Sequence, residues 1–198
     1  MGSISSKSYH MQEPQQSRTS LYLGAGIFLL ALLMRTFYLA DWVQSPYFGV
    51  PLLDEQYHHD WAMRLATGLG NEAKPFFRAP LYPHFLSLIY FLTDKASPES
   101  VALLPRIVQA LLGSLSALLT YSLARMLFGS IIGGASGILA AIYPVMIFFD
   151  GELLLPPLLV FLNLMYAHAL IRAFDGGRFR WWLITGVAGG LSAITRPN

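Results

Sequence analysis

Two adjacent carboxylates, Asp54 and Glu55, open a segment that also holds Tyr57, His58, His59, Asp60, Trp61 and Arg64, with Arg78 downstream. A carboxylate beside a second acid can take a proton from a hydroxyl as a general base, its neighbour tuning it. Asp54 and His58, one helical turn apart, could contribute an oxygen and a nitrogen donor to a divalent metal site, provided further ligands come from elsewhere. Arg78 stands just ahead of a short apolar helix, where unpaired N–H groups and a guanidinium together suit a phosphate. Each feature also has a plainer reading. Asp54 serves equally as a helix N-cap, with Glu55 favourable in the first turn. Arg78 serves equally as an interfacial arginine that snorkels to lipid phosphates. The residues leave both readings open.

The elements that must position these groups follow from composition. Hydrophobic residues make up 55% of the 198, and charged residues only 12%, about half the usual share in soluble domains. The near balance of 13 Lys+Arg against 11 Asp+Glu speaks against a nucleic-acid-binding domain, and the absence of cysteine excludes disulfides and thiolate metal sites. An integral membrane protein remains. A hydrocarbon core roughly 30 Å thick needs about 20 helical residues. Runs of that kind are expected at 21–40, 107–128, 131–149, 153–174 and, shorter, 181–195. The first is too long for a signal peptide and no small-residue cleavage site follows it. The fold class expected is therefore all-α: about five transmembrane helices, a polar tail at 1–20, and a loop at 41–105 carrying two interfacial helices. Because the fifth run stops at Arg196-Pro197-Asn198, the chain reads as the front part of a longer protein.

Within the loop, Tyr57, Trp61 and Leu65 recur every fourth residue, so Asp54–Thr67 is expected to be an amphipathic helix ended by Gly68 and Gly70. His59 is expected to face solvent. Pro80–Thr93 is apolar but too short to cross, and is expected to lie in the interface. Pro144 should kink the third run, and Pro156-Pro157 should start the fourth. Gly129, Gly133 and Gly137 recur every fourth residue, a spacing that lets a neighbouring helix approach closely. His168 lies within a span, where a neutral imidazole bonded to a neighbouring helix is the simpler expectation. Arg125, Arg172, Arg178 and Arg180 fall in the short loops on the N-terminal side of the membrane, which predicts a cytoplasmic N-terminus and an external 41–105 loop.

The acid pair after the first span, the helix bearing Tyr57, and Arg78 before Pro80-Leu81-Tyr82-Pro83 form an ordered set. It continues through Arg106-Ile-Val-Gln109-Ala-Leu-Leu-Gly113, Leu123-Ala-Arg125-Met-Leu-Phe128-Gly129, Ala140-Ala-Ile-Tyr143-Pro144, and Trp181-Trp182 to Arg196-Pro197-Asn198. This set resembles the GT-C membrane glycosyltransferases, in particular the family 39-like group of protein O-mannosyltransferases and lipid A aminoarabinose transferases. The resemblance implies a polyprenyl-phosphate sugar donor used on the outer face of a bacterial inner membrane. It implies a catalytic acid in the first external loop, matching Asp54 with Glu55 beside it, and a second external acid at Glu152 or Asp150. On the same resemblance Tyr57, Arg78, Tyr82, Glu152 and Arg196 line the substrate site, and a divalent cation could share the leaving-group charge. Arg78-Ala79-Pro80 stands where those relatives have His-Pro-Pro or Lys-Pro-Pro, so the donor sugar does not carry over. The rival readings are a non-catalytic membrane anchor or assembly module, and a transporter. A transporter should carry charge at the midplane, whereas most of the charge here lies in one loop.

Overall fold

The computed structural model describes residues 18–69, 78–93, 98–176 and 178–196. The expected tail therefore lies almost wholly outside the described residues, as do Gly70, Pro197 and Asn198. Eight helices follow in order: α1 (Arg18–Trp42), α2 (Asp54–Ala66), α3 (Leu81–Phe91), α4 (Pro98–Phe128), α5 (Ser130–Ile142), α6 (Pro144–Asp150), α7 (Pro156–Phe174) and α8 (Phe179–Thr195). No strand occurs among the described residues. The molecule is an all-helical membrane protein.

α4 is the central post, packed against α1, α3, α5, α6 and α7, while α8 pairs with α7 and α2 pairs with α3. One apolar core joins Ala62 of α2, Tyr82, Leu86 and Tyr90 of α3, Val101 of α4, Leu153, and Leu158 and Leu162 of α7. A second joins Ile27 and Ala31 of α1 to Ala117 and Tyr121 of α4 and Ala141 of α5. Two glycines of the expected stripe allow close approach, whereas a Cβ on Gly129, at φ 89°, would meet nothing within 4 Å. A Cβ on Gly137 would stand 2.7 Å from that of Tyr121, and one on Gly133 would stand 2.6 Å from that of Arg125. Close packing is thus what these glycines allow.

Helices α1, α7 and the 101–128 part of α4 are each long and apolar enough to cross a membrane, and α5 with α6 forms a fourth span if the pair is one broken helix. The break is at Tyr143-Pro144 and bends the pair by 51°, as Pro144 requires. α7 starts on Pro156, as expected. The span count differs from the five read in the sequence. α8 has 17 residues, short of the roughly 20 a full crossing takes. α4 also begins earlier than the expected 107, at Pro98, and runs through Pro105. A proline inside a helix forfeits one backbone bond. The bond lost is the one to the Val101 carbonyl; the next side chain, Arg106, adds a bond of its own, Nη1 donating to the Ala102 carbonyl at 2.9 Å. That extension places Arg106, which fell between the expected loop and span, on the central helix one turn before Gln109.

Candidate active site

α2 and α3 lie side by side over the end of the bundle where α6 turns into α7. Asp54 opens α2 but does not cap it; the N-cap is Leu53, which makes no side-chain cap bond. Leu53 has φ 52°, ψ −114°, a conformation that costs a branched residue of order 1–3 kcal/mol. The N-cap reading of Asp54 is thereby corrected. Its carboxylate instead accepts from Nη2 of Arg78 at 2.7 Å, across the 24 residues that separate them in sequence. This hydrogen bond, and then the guanidinium's charge, hold the Asp54 carboxyl below the usual range. The Arg78 guanidinium also lies over the Tyr57 ring, 5.2 Å from its centroid. An ionised acid, a cation able to take a phosphate and an aromatic face thus share one exposed patch.

Glu55 turns the other way. Its Oε1 accepts the Leu153 backbone N–H at 2.5 Å and lies 3.7 Å from Nη2 of buried Arg106. Arg106 Nε donates to the Gly151 carbonyl at 2.7 Å. Gln109, one turn along α4, donates to the carbonyls of Asp150 and Glu152 at 3.0 and 2.5 Å. The hydroxyl of buried Tyr82 donates to Gln109 Oε1 at 2.6 Å. Tyr82 is therefore a strut behind the site, and burial raises its phenol pKa well above normal. The turn that carries Glu152 is clamped from α2, α3 and α4 at once.

The structure therefore divides the predicted residues. Asp54, Tyr57 and Arg78 meet on the surface; Glu55, Glu152 and Tyr82 meet inside. Arg196 is exposed at the C-cap of α8, and among the described residues no hydrogen bond or ion pair ties its side chain to either group. His58 is buried on the inward face of α2, edge-on to Tyr82 at 5.0 Å, with Nδ1 unpaired. Burial, and then Arg78, push its pKa down to about 4. His59 does not face solvent as expected. Its Nδ1 pairs with the Tyr90 hydroxyl at 3.0 Å, and its ring helps line a cavity of about 170 Å³ with Phe48, Met63, Arg106 and Leu153. His168 likewise departs from expectation, with Nδ1 buried and unpaired. Among the described residues no group of three or more His, Asp or Glu side chains gathers as a metal site would require. With Asp54 already on Arg78 and His58 buried, the Asp54–His58 pair does not fit a metal centre.

Arg35, Arg106 and Gln109 were missed as site-building residues, and Asp150, the alternative second external acid, is instead buried as the partner of Arg35. The available signal was lone charges in otherwise apolar helices, which must find partners.

Glu152 is pushed up to about 7 by burial first, then by its hydrogen bond to Glu55 and that residue's negative charge, with Arg106 opposing. A carboxyl raised in this way stabilises the fold while protonated. That contribution is complete below pH 4.5 and is lost as pH climbs to about 7. His58 acts in the opposite sense, its contribution present above pH 6.5 and lost as pH falls toward about 4. Since glutamine mimics the protonated acid, Glu152→Gln should gain Tm on the wild type at pH 8 relative to pH 5, the His58 effect cancelling between the two proteins. An offset identical at both pH values would refute the raised pKa.

A helical membrane bundle with a carboxylate–arginine patch over one end is the class these observations define. The model of the family described as dolichyl-phosphate-mannose-protein mannosyltransferase matches residues 74–198. The chain belongs to that family and is a membrane glycosyltransferase of the GT-C type. No curated protein and no solved structure matches the chain. The matched segment holds Arg78, Tyr82, Arg106 and Glu152, whereas α2 with Asp54 and Glu55 precedes it.

Proposed function

We propose that this glycosyltransferase moves a sugar from a polyprenyl-phosphate donor to an acceptor hydroxyl, with inversion at the anomeric carbon. Asp54 takes the proton of the acceptor hydroxyl as its oxygen bonds to the anomeric carbon. The bond from that carbon to the phosphate oxygen breaks, and polyprenyl phosphate leaves with the electron pair. Arg78 meets the phosphate charge that grows as this bond breaks. Tyr57 steadies Arg78, Glu55 positions the 151–155 turn, and Glu152 faces the inner side of the site. No step is routed through a metal.

The observation that carries this reading is the Asp54–Arg78 contact at 2.7 Å. A carboxylate beside a guanidinium supports this reading, because transfer from a phosphate-linked sugar calls for a proton acceptor next to a phosphate-binding cation. The membrane family supports the donor class. We further propose a cytoplasmic N-terminus, an external site and a bacterial inner-membrane location, supported by the arginines of the opposite short loops.

The test is turnover of synthetic polyprenyl-phosphate mannose by the purified protein in detergent, following release of polyprenyl phosphate and the anomeric configuration of the product. Arg78→Ala should weaken donor binding by about tenfold or more, as expected for losing a hydrogen bond to a charged group. A retained anomeric configuration would refute inversion, and unchanged donor affinity in Arg78→Ala would refute the phosphate role.

A further inference from the structure

The end of the bundle away from the carboxylates holds a cluster that sugar transfer does not use. α7 has 19 residues, so its ends lie roughly 28 Å apart along the axis. Its first residue follows the turn that bears Glu152; its last meets the start of α8. There Arg172 and Arg180 both hold their guanidiniums over the Trp181 ring, 5.7 and 5.4 Å from its centroid. Arg178 is exposed at the N-cap of α8.

These cations outnumber the single acid of the turn, Asp175, which makes no ion pair among the described residues. Among the described residues none of the three makes an ion pair. Nε of Arg172 is buried without a hydrogen-bond partner, as is Nδ1 of His168, whose ring lies 6.4 Å from that of Trp181. Arg172 and Arg180, held over one ring, repel each other, and an anion between them relieves this, with Arg178 on the same short turn. The surroundings say what kind of anion. Phe174 is 73% exposed and Phe179 80%, and Trp182 meets Phe174 edge-on at 5.1 Å. Bare aromatic rings among arginines at the end of a membrane-length helix match the headgroup layer of a bilayer. Water-facing rings of this size would be costly around a soluble anion.

We propose that the α7–α8 turn is a binding site for an anionic phospholipid, in the leaflet opposite the Asp54–Arg78 patch. The planar guanidiniums of Arg172, Arg178 and Arg180 grip the phosphodiester oxygens. The acyl chains run along Phe174, Phe179 and exposed Leu183. Basic pockets between membrane helices take headgroups in this manner. The site is separate from donor binding and does not depend on the transfer chemistry.

The experiment titrates the purified full chain in mild detergent with phosphatidylglycerol, phosphatidylcholine or inorganic phosphate, reading Tm and lipid retained by native mass spectrometry. Phosphatidylglycerol alone should raise Tm and be retained. Arg178→Gln and Arg180→Gln, both at exposed side chains, should each weaken retention about fivefold, and Arg180→Lys should recover only part of it, since an ammonium keeps the charge but not the planar fork. Equal retention of phosphatidylcholine, or undiminished phosphatidylglycerol retention in the double glutamine variant, would overturn the site. Inorganic phosphate matching phosphatidylglycerol would assign the cluster to a soluble anion and overturn the lipid assignment.

Discussion

Arg35→Leu is expected to destabilise the protein by about 3–5 kcal/mol, because it leaves a buried carboxylate without its partner. Arg35 and Asp150 are 2% and 4% exposed, and Nε donates to Oδ2 at 2.6 Å. The same guanidinium ties α1 to α5, with Nη1 donating to the Ala31 and Ala141 carbonyls at 3.1 and 3.2 Å. The pair therefore fixes where α6 leaves the kink at Pro144. Gly113 on α4 makes room for it: a Cβ there would overlap the Asp150 carboxylate and come within 2.5 Å of Arg35 Nε. Gly113→Ala should consequently behave like Arg35→Leu. The double variant Arg35→Leu/Asp150→Leu should recover most of the loss, since a matched apolar pair avoids burying either charge. Thermal unfolding in detergent reads all three, with a fall on the order of 10 °C for the single variants. A single variant within about 1 kcal/mol of the wild type would show that water reaches the pair.

Asp54→Asn is expected to lower kcat by about 10²–10⁴, the usual worth of a positioned general base. Asparagine keeps an oxygen that can accept from Arg78, so the patch stays assembled and donor affinity should change far less than kcat. Glu55→Gln separates the two carboxylates by readout. Glu55 receives the Leu153 N–H and faces Arg106, so its loss should lower Tm as well as turnover, because the 151–155 turn loosens. Full turnover in Asp54→Asn, with turnover abolished and Tm unchanged in Glu55→Gln, would move the base from Asp54 to Glu55.

Much of the helical plan was legible in the chain because solvent dictates it. Lipid forces backbone groups to pair within each segment, so the long apolar runs announce helices wherever they pack. Proline acts locally too, and the bend at Pro144 and the start of α7 at Pro156 needed no tertiary information. The short lengths of α2 and α3 were set by the polar and glycine residues around them.

The face that α2 turns inward was legible only in part. Trp61 of the expected stripe is buried, yet the inward face also carries Glu55 and His58, polar groups that go inside only because Leu153, Arg106 and Tyr82 await them. Periodicity counts apolar side chains and is blind to partners supplied by distant helices. The same limit hid the extension of α4 through Pro105, which sets Arg106 on one helix with Gln109 so that both reach the 150–152 backbone. The chain by itself therefore determined that this is a helical membrane protein with an acid-bearing loop near Arg78. Tertiary structure alone decided that Asp54 pairs with Arg78 while Glu55 turns toward Arg106 and the Leu153 N–H, because a buried charge goes where another element compensates it.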